Sequence, residues 1–271
     1  MSFEDEGFLS DTLNHRFREM TECSEWFNLA FRLNRWAHKF ALTEREFEVE
    51  GNGLADVKAL TSMLFFRALS NFQGCIVVAD RGLIVEARTL ARSCGESALS
   101  MVGAKFDPDH WKALMDDEMK SRRSRARLLM GNSHWMTGEQ YERLKGQVAT
   151  MTADWKRLSR LDYAKIAEKG GCQIHYVIYR QLSADAAHAS FESLLRYVTE
   201  SDGTIESLQP AAKLTPAMIS ETIDIACNFL FLCGAVILEQ FPDPDASKEL
   251  DGCWQQYKVL AKTRRAGSDS A

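Results

Sequence analysis

One stretch, Arg81 to Val102 (RGLIVEARTLARSCGESALSMV), constrains the fold more than any other part of the chain. Wound at about 100° per residue, it brings Ile84, Ala87, Ala91, Cys94, Ala98 and Met101 to one side of a helix, with Leu83, Leu90 and Val102 beside them. The opposite side carries Thr89, Ser93, Ser97 and Ser100, all short and uncharged. A helix with one face in water carries long charged side chains there, so this one is expected to be packed on most sides. Arg88 points into the apolar arc between Gly95 and Leu99, with Arg92 and Glu96 on its shoulder. A buried guanidinium stays charged and needs a carboxylate or several carbonyls, so the sequence calls for acidic partners on neighbouring helices.

The rest of the chain can supply such neighbours. Its 271 residues, 45% apolar and 26% charged, suffice for a sizeable core. Five prolines favour helices over a turn-rich β fold. A net charge of −5 gives no overall attraction to nucleic acid or to acidic membranes. The seven cysteines form no CxxC pair and no Cys/His cluster at zinc spacing, and most lie in apolar runs. With no signal peptide at the N-terminus, a reducing cytoplasm is expected. Ile225 to Leu238 is the most membrane-like run, but it is shorter than the roughly 20 residues needed to span and is read as a buried core helix, with no membrane partner.

Taken in order, an aromatic helix is expected over Asp11–Leu42, broken by EFEVEGNG at Glu46–Gly53. A second helix covers Leu54–Ala79, stopped by Asp80-Arg81-Gly82, after which the opening helix returns antiparallel. A charged helix runs from Asp107 or Asp109 as cap to Met130, and another from Gly138 to Leu158 with Thr137 as its capping candidate. A short helix over Asp162–Lys169 ends at Gly170-Gly171, and a long one follows over Cys172–Glu200. Ser201–Thr215 holds a turn or hairpin; an apolar helix from Pro216, capped by Thr215, continues to Phe241, where Pro242 and Pro244 end it. A last helix covers Ser247–Lys262, and residues 266–271 are a frayed tail. The expected fold is all-α, a multi-helix bundle of long antiparallel helices in a single domain over residues 1–271.

Charge intrudes on this core again in the Cys172–Glu200 helix. Tyr176, Ala187, Phe191, Leu194 and Val198 make its apolar face, Arg180 projects from the middle of that face, Ser183 lies on its near edge, and His188 is about 80° round. On the Pro216 helix, Glu221, Asp224 and Asn228 form a narrow polar stripe. Two readings follow. Arg88 and Arg180 with Glu96, Glu221 and Asp224 form an internal ion-pair network that fixes helix register; or Arg88, Arg92, Arg180 and His188 are donors in a pocket that binds an anion.

GLIVEARTLARSCGE (Gly82–Glu96) together with YRQLSADAAHAS (Tyr179–Ser190) resembles an uncharacterised bacterial all-helical family, domain-of-unknown-function family 5677. The shared positions are Glu86, Ala87, Arg88, Leu90, Arg92 and Glu96, then Tyr179, Arg180, Ser183 and His188, and the resemblance is read over Ala55–Phe241. It implies an all-helical fold and carries no established activity. The family is similar in general architecture to the HEPN group, many of which are ribonucleases using an arginine and, four to six residues on, a histidine. Here seven residues separate Arg180 from His188; Arg32 with His38 and Arg127 with His134 fit the spacing, though a straight helix sets the first pair about 120° apart and Gly131-Asn132 interrupts the second.

Lys120, Arg122, Arg123, Arg125 and Arg127 form the one basic run, for which RNA or DNA phosphates are the functional partner and self-pairing with Asp116 and Glu118 the structural alternative. The histidines show no metal spacing, and there is no phosphate loop or nucleophile elbow, so neither metal nor cofactor is expected. The leading expectation is a helical protein acting through interaction, as a homodimer in a defence or toxin system. The alternatives are a metal-independent ribonuclease with Arg180 and His188 as catalytic pair, and an anion- or nucleotide-binding sensor built from Arg88, Arg92, Glu96, Tyr179, Ser183, Glu221 and Asp224.

Overall fold

The computed structural model describes residues 17–43, 56–152, 158–159, 161–185, 191–202 and 204–268. It is an all-α bundle with one small hairpin. In chain order the helices are α1 (Thr21–Leu42), α2 (Val57–Asp80), α3 (Ile84–Phe106), α4 (His110–Gly131), α5 (Gly138–Thr152), α6 (Tyr163–Lys169), α7 (Gln173–Asp185) and α8 (Phe191–Leu195). Strands β1 (Val198–Ser201) and β2 (Thr204–Leu208) follow, then α9 (Pro216–Gln240) and α10 (Pro244–Ser268). Asp11–Arg16 of the expected first helix, Glu46–Gly53 and His188 lie outside the described residues.

Local chemistry sets most helix ends. The chain leaves α2 through Gly82 at φ +81°, where the Leu83 amide bonds back to Val78 and the Gly82 amide to Ala79. This paired return needs a left-handed residue, which glycine adopts without strain. At the start of α5, Thr137 Oγ1 accepts from the Gln140 amide at 3.3 Å and Gln140 Oε1 accepts from the Thr137 amide at 2.9 Å, a reciprocal cap. Thr215 Oγ1 accepts from the Met218 amide, and Pro216 takes the first turn of α9. Pro244 does not merely stop α9. With Asp243 Oδ1 accepting from the Ala246 amide at 2.9 Å, it opens α10, which runs on to Ser268 rather than ending near Lys262.

The core lies where α3 meets α2, its antiparallel neighbour, and α9, which packs on α1, α2 and α3. The burial inferred for α3 from its short back face is observed: Ser97 and Ser100 are as covered as Ala91, Cys94 and Leu99. Close approach of α9 is possible because a Cβ at Gly95 would stand only 2.6–2.8 Å from three ring carbons of Phe229. α10 covers α1, where Trp36 Nε1 donates to the Ala246 carbonyl at 2.9 Å. α2 and α9 are each long and apolar enough to cross a membrane, yet 67% of the α9 window and 44% of the α2 window are buried inside the protein itself.

The long helix expected over Cys172–Glu200 is corrected. Val198–Ser201 is a strand, antiparallel to β2 with Val198 opposite Leu208 and a register shift at Thr199/Glu200; Asp202 makes the turn at φ +52°. Phe191 and Leu194, read as part of one apolar face with Tyr176, are 79% and 51% exposed. Helical phase carries only as far as the helix does, so a face drawn across both halves misplaced the side chains of α7.

Two imidazoles, His110 buried and His175 half-buried, make stability depend on pH. His110, packed on Gly103, and His175, beside Phe229 on α9, are both pushed below the ordinary value of 6.5, chiefly by burial. The folded protein therefore holds them neutral, while the unfolded chain binds protons as pH falls below about 6.5. Their contribution to stability is complete above 6.5 and is lost progressively below it. Asp224, raised by burial, acts in the opposite sense, so the comparison must be between variants. We expect the melting temperature to fall between pH 7 and pH 5 less steeply in His110→Phe than in wild type, read by calorimetry; parallel profiles would refute the assignment.

Candidate functional site

Three helices converge beside α3. Along it, Arg88, Arg92 and Glu96 follow one another at intervals of four, each about 40° further round, and this slow drift sends the two arginines to different neighbours. Arg88 turns to α9: its Nη2 lies 2.9 Å from Glu221 Oε2, and its Nε donates to Thr222 Oγ1 at 3.3 Å. Its side chain is 12% exposed and that of Glu221 49%, so a buried cation is met by an acid at the rim. This is the ion pair across a helix seam that the α3 pattern called for.

Arg92 turns to α7. Its Nε donates to Ser183 Oγ at 2.8 Å, its Nη2 to the Tyr179 hydroxyl at 3.0 Å, and its Nη1 lies 3.5 Å from Glu96 Oε2. The guanidinium also sits 5.0 Å from the centroid of the Tyr179 ring. Ser183 in turn donates to the Tyr179 carbonyl at 2.8 Å, which orients its lone pairs toward Arg92. Among the described residues, these contacts engage three of the five guanidinium protons.

Arg92 faces a pocket of about 970 Å³ lined also by Leu161, Asp162, Tyr163, Lys165, Tyr176, Tyr179, Arg180, Ser183 and Ala184. α6 enters through Tyr163, whose hydroxyl is 3.2 Å from Ser100 Oγ on α3, and through Lys165, 3.7 Å from the Asp162 carboxylate. The three phenol rings form one aromatic wall: Tyr163 meets Tyr179 edge-on at 5.6 Å, and Tyr176 lies nearly parallel to Tyr179 at 6.3 Å. Burial raises the hydroxyls of Tyr163 and Tyr179 above the ordinary phenol value, and neighbouring Glu96 adds to the rise. Both remain protonated at neutral pH and act as neutral hydrogen-bonding groups.

Two of the expected site residues stand elsewhere, and a third, His188, lies outside the described residues. Arg180 does not project into the core: it is exposed at the pocket edge, with Nη1 3.4 Å from the Tyr176 hydroxyl, and it does not join the Arg88–Glu221 pair. Asp224 does not balance an arginine of α3 or α7. Its Oδ2 is 2.6 Å from Arg264 Nη2 on α10, and Asn228, one turn on, bonds the Tyr257 hydroxyl. His188 is outside the described residues, so no geometry joins it to Arg180. The structure thus brings Arg92, Tyr179, Arg180 and Ser183 together, and gives Glu221 and Asp224 different partners, Arg88 and Arg264.

Tyr163, Lys165 and Tyr176 belong to the pocket, and the sequence reading did not assign them to it. A signal for the last was present: Tyr176, Tyr179, Arg180 and Ser183 fall within about 100° on a helix wheel once α7 is phased alone. Nothing local marks Tyr163, whose place follows from the docking of α6 on α3 and α7. The basic run of α4 is partly self-paired: Glu118 Oε1 takes Arg122 at 2.7 Å and Arg125 at 3.2 Å.

A helical bundle with a cationic, tyrosine-walled pocket between α3, α6 and α7 is the class that fold and site define. Residues 58–205 match the family of unknown function DUF5677, and the chain belongs to that family. The match contains both arginine segments and ends in β2, short of the Phe241 limit read from the resemblance. Comparison with curated proteins and with solved structures returns no match.

Proposed function

We propose that this protein binds a small anionic ligand in the α3–α6–α7 pocket. The observation that carries the reading is Arg92, fixed in orientation by Ser183, Tyr179 and Glu96, on the wall of a cavity that also presents Arg180 and Lys165. A positioned guanidinium with a second cation nearby is the arrangement that recognises phosphate or carboxylate. Asp162 is the one acid among the described lining residues, and it is taken up by Lys165. Binding is favoured over RNA cleavage because those lining residues include no histidine and their buried phenols, raised above the ordinary range, are poor bases. A cytoplasmic location accords with seven cysteines that are all reduced and buried.

Thermal shift and titration calorimetry with inorganic phosphate, sulfate and acetate, against sodium chloride of equal ionic strength, test the proposal. Wild type is expected to be stabilised by at least one of these anions. Arg92→Met should abolish the response and Arg180→Met should weaken binding about tenfold, a loss of about 1.4 kcal/mol. Arg88→Met, away from the pocket, should melt earlier and keep the response. An unchanged response in Arg92→Met would refute the site.

A further inference from the structure

We infer that the ligand of this pocket is a nucleoside monophosphate, an inference that rests on the anion reading above and narrows it. The volume is the first reason. About 970 Å³ is room for roughly thirty water molecules, far more than a bare inorganic anion fills, and it lies at the upper end of the range of small-molecule sites. The second reason is how the walls are divided. Guanidinium groups of Arg92 and Arg180 form the cationic end that receives the anion, and Lys165 is already engaged by Asp162. The remaining wall is phenolic, with Tyr176 and Tyr179 nearly parallel and Tyr163 edge-on to the latter.

Such a wall is costly to build for an anion alone. Three tyrosines turned to one cavity offer flat faces, which hold a planar ring by stacking, and hydroxyls, which reach the ring's polar edge or a sugar. Tyr176 is the ring best placed to take a base, because Tyr179 is covered on one side by the Arg92 guanidinium at 5.0 Å. Arg180, whose described contact is the 3.4 Å bond to Tyr176, stands next to that ring and links the aromatic part of the pocket to the anionic part. A phosphate joined to a planar heterocycle through a sugar meets all of these groups at once. A simple sugar phosphate leaves the aromatic wall bare, and a nucleoside brings no anion to Arg92 and Arg180.

The test compares adenosine, guanosine, uridine and cytidine 5′-monophosphates with ribose 5-phosphate, with the parent nucleosides and with inorganic phosphate, by titration calorimetry on the full chain. At least one monophosphate is expected to bind roughly tenfold or more tightly than ribose 5-phosphate. Tyr176→Leu should bring that nucleotide down to the level of the sugar phosphate while leaving the sugar phosphate unchanged, and Tyr176→Phe should keep the preference. Equal binding of nucleotide and sugar phosphate would overturn this inference and leave the anion reading standing. Silence from every phosphate would overturn this inference, and silence from sulfate and acetate as well would sink both. Binding of a nucleoside as tight as that of its monophosphate would also overturn it, since the guanidinium groups would then do nothing. Tighter binding of a single-stranded oligonucleotide than of any monophosphate would reassign the pocket to RNA and overturn the small-ligand inference.

Discussion

A fragment cut to residues 58–205, the segment that matches the family, is expected not to fold. α9 alone buries Ile219, Ile223, Phe229, Leu230, Phe231, Val236 and Ile237, and α1 buries Trp26, Phe27, Leu29, Leu33, Trp36 and Phe40. Burial of one such side chain contributes about 1.5–3 kcal/mol, so the seven from α9 represent roughly 10–20 kcal/mol. That equals or exceeds the whole stability of an ordinary protein, about 5–15 kcal/mol. Without α9 the inner face of α3, including Ala91, Cys94 and Gly95, faces water. Far-UV circular dichroism and urea unfolding of the fragment should show reduced helicity and no cooperative transition, where the full chain shows both. A sharp transition in the fragment would mean that the family segment is a domain in its own right, against the single-domain reading.

Gly95→Val is expected to be strongly destabilising. The added Cβ would lie 2.6, 2.7 and 2.8 Å from Cζ, Cε2 and Cε1 of Phe229, a ring with no exposure and no room to retreat. Overpacking of this kind costs about 1–3 kcal/mol, and the two further methyl groups put valine at the top of that range or beyond. For a chain of this size the melting temperature should fall by roughly 5 °C or more. Gly95→Ala should do less harm, because alanine returns about 1 kcal/mol in helix propensity. Combining Gly95→Val with Phe229→Leu should restore part of the loss, a coupling that is measurable because the two residues touch. A melting temperature within 2 °C of wild type for Gly95→Val alone would contradict the close approach of α3 and α9.

Much of the helical framework was legible beforehand because its signals are local. Gly82 closes α2, Thr137 with Gln140 opens α5, Gly171 at φ +64° closes α6, and Thr215-Pro216 opens α9. Each depends on a few neighbouring residues and on backbone chemistry that works the same in any fold. The burial of α3 was also legible, because a back face of Thr89, Ser93, Ser97 and Ser100 has no reason to meet water. The same logic failed beyond Asp185. A helical phase extended through β1 turned Arg180 inward and put Phe191 and Leu194 on a packed face, whereas all three are exposed.

The site was legible only in its residue types. That Arg88 and Arg92 need partners follows from charge and burial alone, and Glu221, Tyr179 and Ser183 were all among the candidates. Pairing is another matter, because it depends on how helices far apart in sequence are rotated and shifted against one another. Arg88 meets Glu221 across 133 positions, Arg92 meets Ser183 across 91, and Asp224 is drawn to Arg264 on the last helix. By itself, then, the sequence determined where most helices begin, that α3 is packed on most sides, and that cations would have to be answered there. The tertiary structure alone decided which group answers each cation and that α6 completes a pocket with Tyr163, since short-range propensity carries no information about how distant helices dock.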